Sequence, residues 1–139
     1  MPERLLILAV VVLAVTIGVL VARHWNARRI RKLAEGGAPV WDALGERPDG
    51  RRALVAFSTP SCAACRTAQA PAIRVAEQHL GASTVRVIRV DASRQPEVAR
   101  AFGVLTVPST VVLEPAGRVV AVNQGFAPSG RLIEQLQRA

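Results

Sequence analysis

Two cysteines, Cys62 and Cys65, stand three apart at the junction of two dissimilar segments, and that placement limits what the surrounding chain can build. Ala53-Leu54-Val55-Ala56-Phe57, just before them, is a near-continuous apolar run, the pattern of a strand covered on both faces. The segment from Cys62 to Leu80 is helical in composition and is closed by Gly81. A Cys-x-x-Cys at such a junction puts the first sulfur at a helix N-terminus. Unpaired backbone N–H groups and the helix dipole there favour thiolate over thiol. Cys62 is therefore the candidate nucleophile. Cys65, one turn further in, is placed to attack a mixed disulfide on Cys62 and release a substrate with both electrons transferred. Half of a zinc site is the competing use of the pair, but zinc takes four ligands and the chain adds only His24 and His79, far apart in sequence. An inert structural pair would not need the mouth of a helix.

The net charge of +8 is carried almost entirely by arginine, Lys32 being the single lysine. Its distribution is uneven, at +5 for residues 1–32, −3 for 33–49 and +6 for 50–139. Nucleic acid is not the expected partner: tyrosine is absent, other aromatics are few, and the one dense basic cluster lies beside an apolar run. A basic surface of this kind suits the neighbourhood of anionic lipid.

That apolar run, Leu5 to Ala22, is eighteen residues without a charge. At ~1.5 Å per residue it covers about 27 Å, close to the hydrocarbon thickness of a bilayer. A cleaved signal peptide would have a shorter apolar core, a more basic start and small residues at the cleavage positions, where this chain has Leu20-Val21-Ala22. The expectation is a single-pass anchor in the cell membrane. Arg23, Arg28, Arg29, Arg31 and Lys32 follow it, with Trp25 as an interfacial residue, so the positive-inside rule places the downstream domain in the cytoplasm. The opposite orientation would put it in an extracytoplasmic, oxidising space. The division expected is 1–4 as a flank, 5–22 as the transmembrane helix, 23–49 as a basic juxtamembrane helix and linker, and 50–139 as the folded domain. Ala27 to Glu35 supports helix, with Gly36-Gly37 as its stop. Val40 to Leu44 is a short apolar-containing turn or helix, a candidate first element of the folded domain, and Gly45 to Gly50 a loop.

Within the domain, Pro71 should bend the helix that starts at Cys62. Thr84 to Val90 is β-branched and forms a second strand ending at Asp91, and Ser93 is placed to cap a short helix from Pro96 to Phe102. Strand, helix, strand, helix indicates a parallel α/β unit. Ser109 to Leu113 and Arg118 to Val122 flank Glu114-Pro115-Ala116-Gly117, a hairpin signal, and Pro128 to Leu136 is a closing amphipathic helix.

From about Ala53 to Gln137 the chain resembles the thioredoxin family. The likeness rests on Cys62-Ala-Ala-Cys65-Arg66 after a hydrophobic strand, Asp91 closing the second strand, Phe102-Gly103-Val104 followed by Thr106-Val107-Pro108, and Gly125 before the last helix. It implies an α/β thioredoxin-like fold, a central mixed sheet flanked by helices, here preceded by one transmembrane helix. It also implies a cis Pro108 beside the active-site disulfide. Val107, Pro108, Ser61 and Thr106 become the substrate-binding candidates, and Cys62 and Cys65 the catalytic, redox-active pair. No cofactor or metal is implied. The partners implied are protein thiol or disulfide substrates and a redox partner protein, with membrane lipid around the anchor. The expected activity is membrane-anchored thiol–disulfide exchange. A tethered scaffold of the same fold without turnover, or an outward-facing envelope reductase, are the alternatives. Three departures from the family pattern stand out: Ser61 and Ala63-Ala64 around the cysteines, Ala56 and Val87 where the family has a buried acid and its lysine, and Pro71 six residues after Cys65 where five is usual. Without the buried acid, water or substrate must take the proton of Cys65.

Overall fold

The computed structural model describes residues 7, 10–22, 24 and 37–139. The apolar run of β1 (Arg52–Ser58) lies in the interior of a four-stranded sheet of order β2-β1-β3-β4. β1 pairs in parallel with β2 (Val85–Asp91) and antiparallel with β3 (Ser109–Leu113), which pairs antiparallel with β4 (Val119–Gln124). A strand with neighbours on both sides and cover on both faces has no solvent-facing position. Ala53 to Phe57 are accordingly all buried. Their side chains alternate between two cores. Ala53, Val55 and Phe57 pack with Val90, Phe102 and Val111, and the Phe57 and Phe102 rings lie 5.7 Å apart. Leu54 and Ala56 pack on the other face with Ile73, Ala76, Leu132 and Leu136.

Helices supply the cover. α1 (Gly37–Leu44) and α3 (Pro96–Ala101) close the first core, and α2 (Ala70–Leu80) and α4 (Ser129–Arg138) the second. Three expectations need correction here. The packed unit begins before residue 50, because Val40 and Trp41 are 0% and 2% exposed within the first core. Gly37 is helical where a helix stop is expected. Ser93 does not cap α3. Its N–H and hydroxyl both turn back to Asp91 Oδ1, a local bond that competes with the cap.

The loop before β1 is tied down by Arg86 of β2, which pairs with Glu46, donates to the Arg47 carbonyl at 2.8 Å and sits 5.9 Å from the Trp41 ring centre. The hairpin expected at Glu114 to Gly117 is present, with Gly117 at φ +89° and Gly117 N–H donating to the Glu114 carbonyl.

Residues 10–22 are helical and exposed, as is Ile7. Among the described residues no helix is long and apolar enough to cross a membrane. The span expected over 5–22 lies partly outside them, and Trp25, the arginines from 23 to 31, Lys32 and the helix expected over 27–35 lie outside them entirely.

Two carboxyls respond to acid. The Arg51 guanidinium holds Asp49, and the Ser93 hydroxyl holds Asp91, below the ordinary 3.8. Both bind protons less readily folded than unfolded. Their contribution is therefore present above that value and lost as pH falls through the lowered ones. The urea midpoint should drop between about pH 5 and about pH 2, and drop less in Asp91→Asn, as followed by circular dichroism.

Candidate active site

The end of β1 leads into Ser58-Thr59-Pro60-Ser61, and helical backbone begins at Ala63. This puts Cys62 at the start of a helical stretch that runs on to Leu80, where the first N–H groups lack partners in the preceding turn. One of them is used directly: the Cys65 N–H donates to Cys62 Sγ at 3.2 Å. Cys62 and Cys65 are joined in a disulfide with Cα atoms 5.3 Å apart, Cys62 partly open to solvent and Cys65 8% exposed. The exposed sulfur is thus the one a partner can reach, and the covered one can be reached from Cys62. When the disulfide is reduced, the helix start and the Cys65 N–H both favour negative charge on Cys62.

Ahead of Pro71, where a bend is expected, the structure has a wide turn. The helix widens over Cys65–Gln69, so that the Ala70 N–H reaches back five residues to the Cys65 carbonyl. A wide turn of this kind takes in one extra residue without breaking the helix. The extra residue between Cys65 and Pro71 is absorbed there, ahead of the proline that lacks an N–H.

Register brings the second half of the site alongside. Phe57 pairs with Ser109 in the antiparallel ladder, so the chain leaving β1 and the chain entering β3 emerge at the same end of the sheet. The Val107–Pro108 peptide is cis. A groove of about 490 Å³ lies here, lined by Thr59 of the cysteine loop, by Ala92, Pro96 and Arg100, and by Leu105, Thr106 and Val107. Two of the four substrate-binding candidates, Thr106 and Val107, line this groove. Pro108 is buried behind them. Ser61 is exposed and is not part of the lining, though its hydroxyl is 3.4 Å from that of Thr59, which is. Among the described residues, neither the N–H nor the carbonyl of Val107 has a hydrogen-bond partner. An extended strand could pair with it.

The position of the buried acid is apolar. Ala56 is 8% exposed, and Val87 packs against the same core. Thr110 is paired with Ala56 across the sheet, and its hydroxyl accepts from Asn123 Nδ2, which also donates to Gln135. This buried network is neutral. Nothing in it titrates in the working range of a thiol. No group of three or more His, Cys, Asp or Glu able to hold a metal occurs among the described residues.

Sequence reasoning missed Gln69 and Gln124. Gln69 is 3% exposed, its amide donating to the Ala127 carbonyl at 3.0 Å and accepting from the Ala127 N–H at 2.9 Å. Gln124 accepts from the Leu105 N–H and donates to the Gly103 carbonyl. The displaced proline was the one signal of the first. Nothing in the local pattern announces the second.

The thioredoxin family model matches residues 45–138, more than half of the chain. The chain belongs to the thioredoxin family. Thioredoxin of Bacillus subtilis (strain 168) is 29% identical over 85 residues, a match that takes in 61% of this chain and 79% of that protein. An SPbeta prophage-derived thioredoxin-like protein of the same organism is 30% identical over 76 residues, covering 55% of this chain and 85% of its own. Among solved structures, mitochondrial thioredoxin 3 from Saccharomyces cerevisiae superposes with a TM-score of 0.54 at 16% identity, over 66% of this chain and 82% of that one. With its paired cysteines at the start of a helix, this thioredoxin-family chain is a thiol–disulfide oxidoreductase acting on protein disulfides and redox partners.

Proposed function

We propose that the protein is a membrane-tethered thiol–disulfide oxidoreductase whose domain lies on the cytoplasmic side and exchanges electrons with protein disulfides. The observation that carries the exchange is the Cys65 N–H on Cys62 Sγ at the start of a helix. Cys62 thiolate attacks one sulfur of a substrate disulfide, forming a mixed disulfide and releasing the other substrate sulfur as thiolate. Cys65 thiolate then attacks Cys62 Sγ, closing the internal disulfide and releasing the second substrate sulfur. Two electrons pass from protein to substrate, and the reverse sequence oxidises a dithiol. Val107 and Pro108 position the partner strand, and Ser61 and Thr106 flank it.

The tether is supported by the uncharged run from Leu5 to Ala22 and by the exposure of its described part, with Val12 at 64% and Leu20 at 59%. Orientation is supported by the five basic side chains that follow. The chemistry is tested by insulin reduction: the wild type turns over, whereas equal slowness of the wild type and Cys62→Ser would refute it. The tether is tested by alkaline extraction of membranes, and its orientation by a topology reporter fused after Ala139. A signal from the external side would place the domain in the envelope instead.

Replacing the buried acid with Ala56 has a kinetic signature. We expect Ala56→Asp to add to the pH dependence of the reduction rate an ionisation that the wild type lacks. Stopped-flow pH–rate profiles of the two proteins check this.

A further inference from the structure

Three segments are linked beyond the ends of β1, β3 and β4: the cysteine helix, the 103–109 segment with its cis proline, and the turn at Gly125–Ala127. Two side-chain amides join them. Gln69, brought inward at the end of the wide turn, grips both the N–H and the carbonyl of Ala127, 58 residues away. Ala127 is itself fully buried, so no water substitutes for the amide. Gln124, the last residue of β4, accepts from the Leu105 N–H at 3.2 Å and the Ser109 hydroxyl at 3.3 Å, and donates to the Gly103 carbonyl at 2.8 Å. The ladder between β3 and β4 ends at the Ser109–Gln124 pair. Beyond it the two chains carry Val107, whose backbone has no hydrogen-bond partner among the described residues, and Phe126, a large apolar side chain 49% exposed.

We propose that Gln69 and Gln124 are positioning residues that preset the spacing between the cysteine helix, the Val107 edge and the Gly125–Ala127 turn, so that an extended protein strand enters a groove already set to receive it. The inference rests on the reading that a protein strand docks at Val107. Neither glutamine touches the reacting sulfurs. Their effect falls on docking of a chain and not on the exchange step, because a preset cleft removes the ordering cost that docking would otherwise carry. A small disulfide, which needs only the exposed sulfur, is indifferent to it.

The test compares insulin with dithiobis(nitrobenzoate) as substrates for the full chain in detergent micelles. Gln69→Leu keeps the side chain's bulk and removes both bonds. It should raise KM for insulin by about tenfold with kcat within about twofold, while the rate with the small disulfide stays within about twofold of wild type. Gln124→Ala, at an exposed position where the fold tolerates truncation, should shift the same ratio in the same direction by about threefold. Circular dichroism establishes that each variant is folded. Should Gln69→Leu fail to fold, Gln124→Ala alone decides. An unchanged KM for insulin overturns the proposal. So does an equal loss on both substrates, which would make the glutamines supports of the disulfide itself. A wild type inactive on both disulfides would instead refute the exchange reading, so the two failures are distinct.

Discussion

Replacing Cys65 by serine should turn a transient intermediate into an end product. The first exchange needs only Cys62, which is partly open to solvent and receives the Cys65 N–H whatever the side chain at 65, so the mixed disulfide still forms. The second exchange needs a sulfur within reach of Cys62 Sγ. Cys65 is the only one, since the chain has two cysteines. Steady-state insulin reduction should fall on the order of a thousandfold, with the protein accumulating as covalent adducts that a strong reductant releases. Non-reducing gels and intact-mass measurement of Cys65→Ser, with the Cys62→Ser, Cys65→Ser double variant as control, read this out. Failure of the single variant to trap any partner would contradict the role given to Cys62. The trapped proteins would also identify the substrates.

Trp41→Ala should destabilise the whole domain although it lies outside the cysteine-bearing region. The indole is 2% exposed in the same core as Phe57, Phe102 and Val111, and it lies under Arg86, whose guanidinium ties the loop at residues 46–49 to β2. Removing it opens a cavity beneath the central strand at a cost of about 3–5 kcal/mol, a large part of the stability of a domain this size. Chemical denaturation measures the loss. If the unfolding free energy fell by less than a tenth of that, α1 would be an ornament on a domain that begins later.

How much of this was legible in sequence depends on the range of the interactions involved. The central strand could be read from Ala53 to Phe57 because burial on both faces leaves an apolar run. The hairpin could be read because Gly117 must take a positive φ. The disulfide pair could be read because local chemistry and family likeness both point to it, and the cis form of Pro108 because the likeness implied it. α1 was harder. Its burial depends on a partner surface assembled from β1, β2 and β3, so Val40 to Leu44 could be read as a candidate first element of the domain but not as part of its core. Ser93 looked like a helix cap, yet Asp91 two residues earlier offered a stronger acceptor. The glutamine ties join positions 58 and 19 to 21 residues apart, and no short window contains both ends.

The burial of Val40 also measures a leash. Seventeen residues separate it from Ala22, where the apolar run ends. If Leu5 to Ala22 is the bilayer anchor proposed above, that stretch reaches at most ~60 Å. The disulfide would then be confined to a shell over the bilayer, where a client held in the same membrane would be met at far higher local concentration than one adrift in bulk solution.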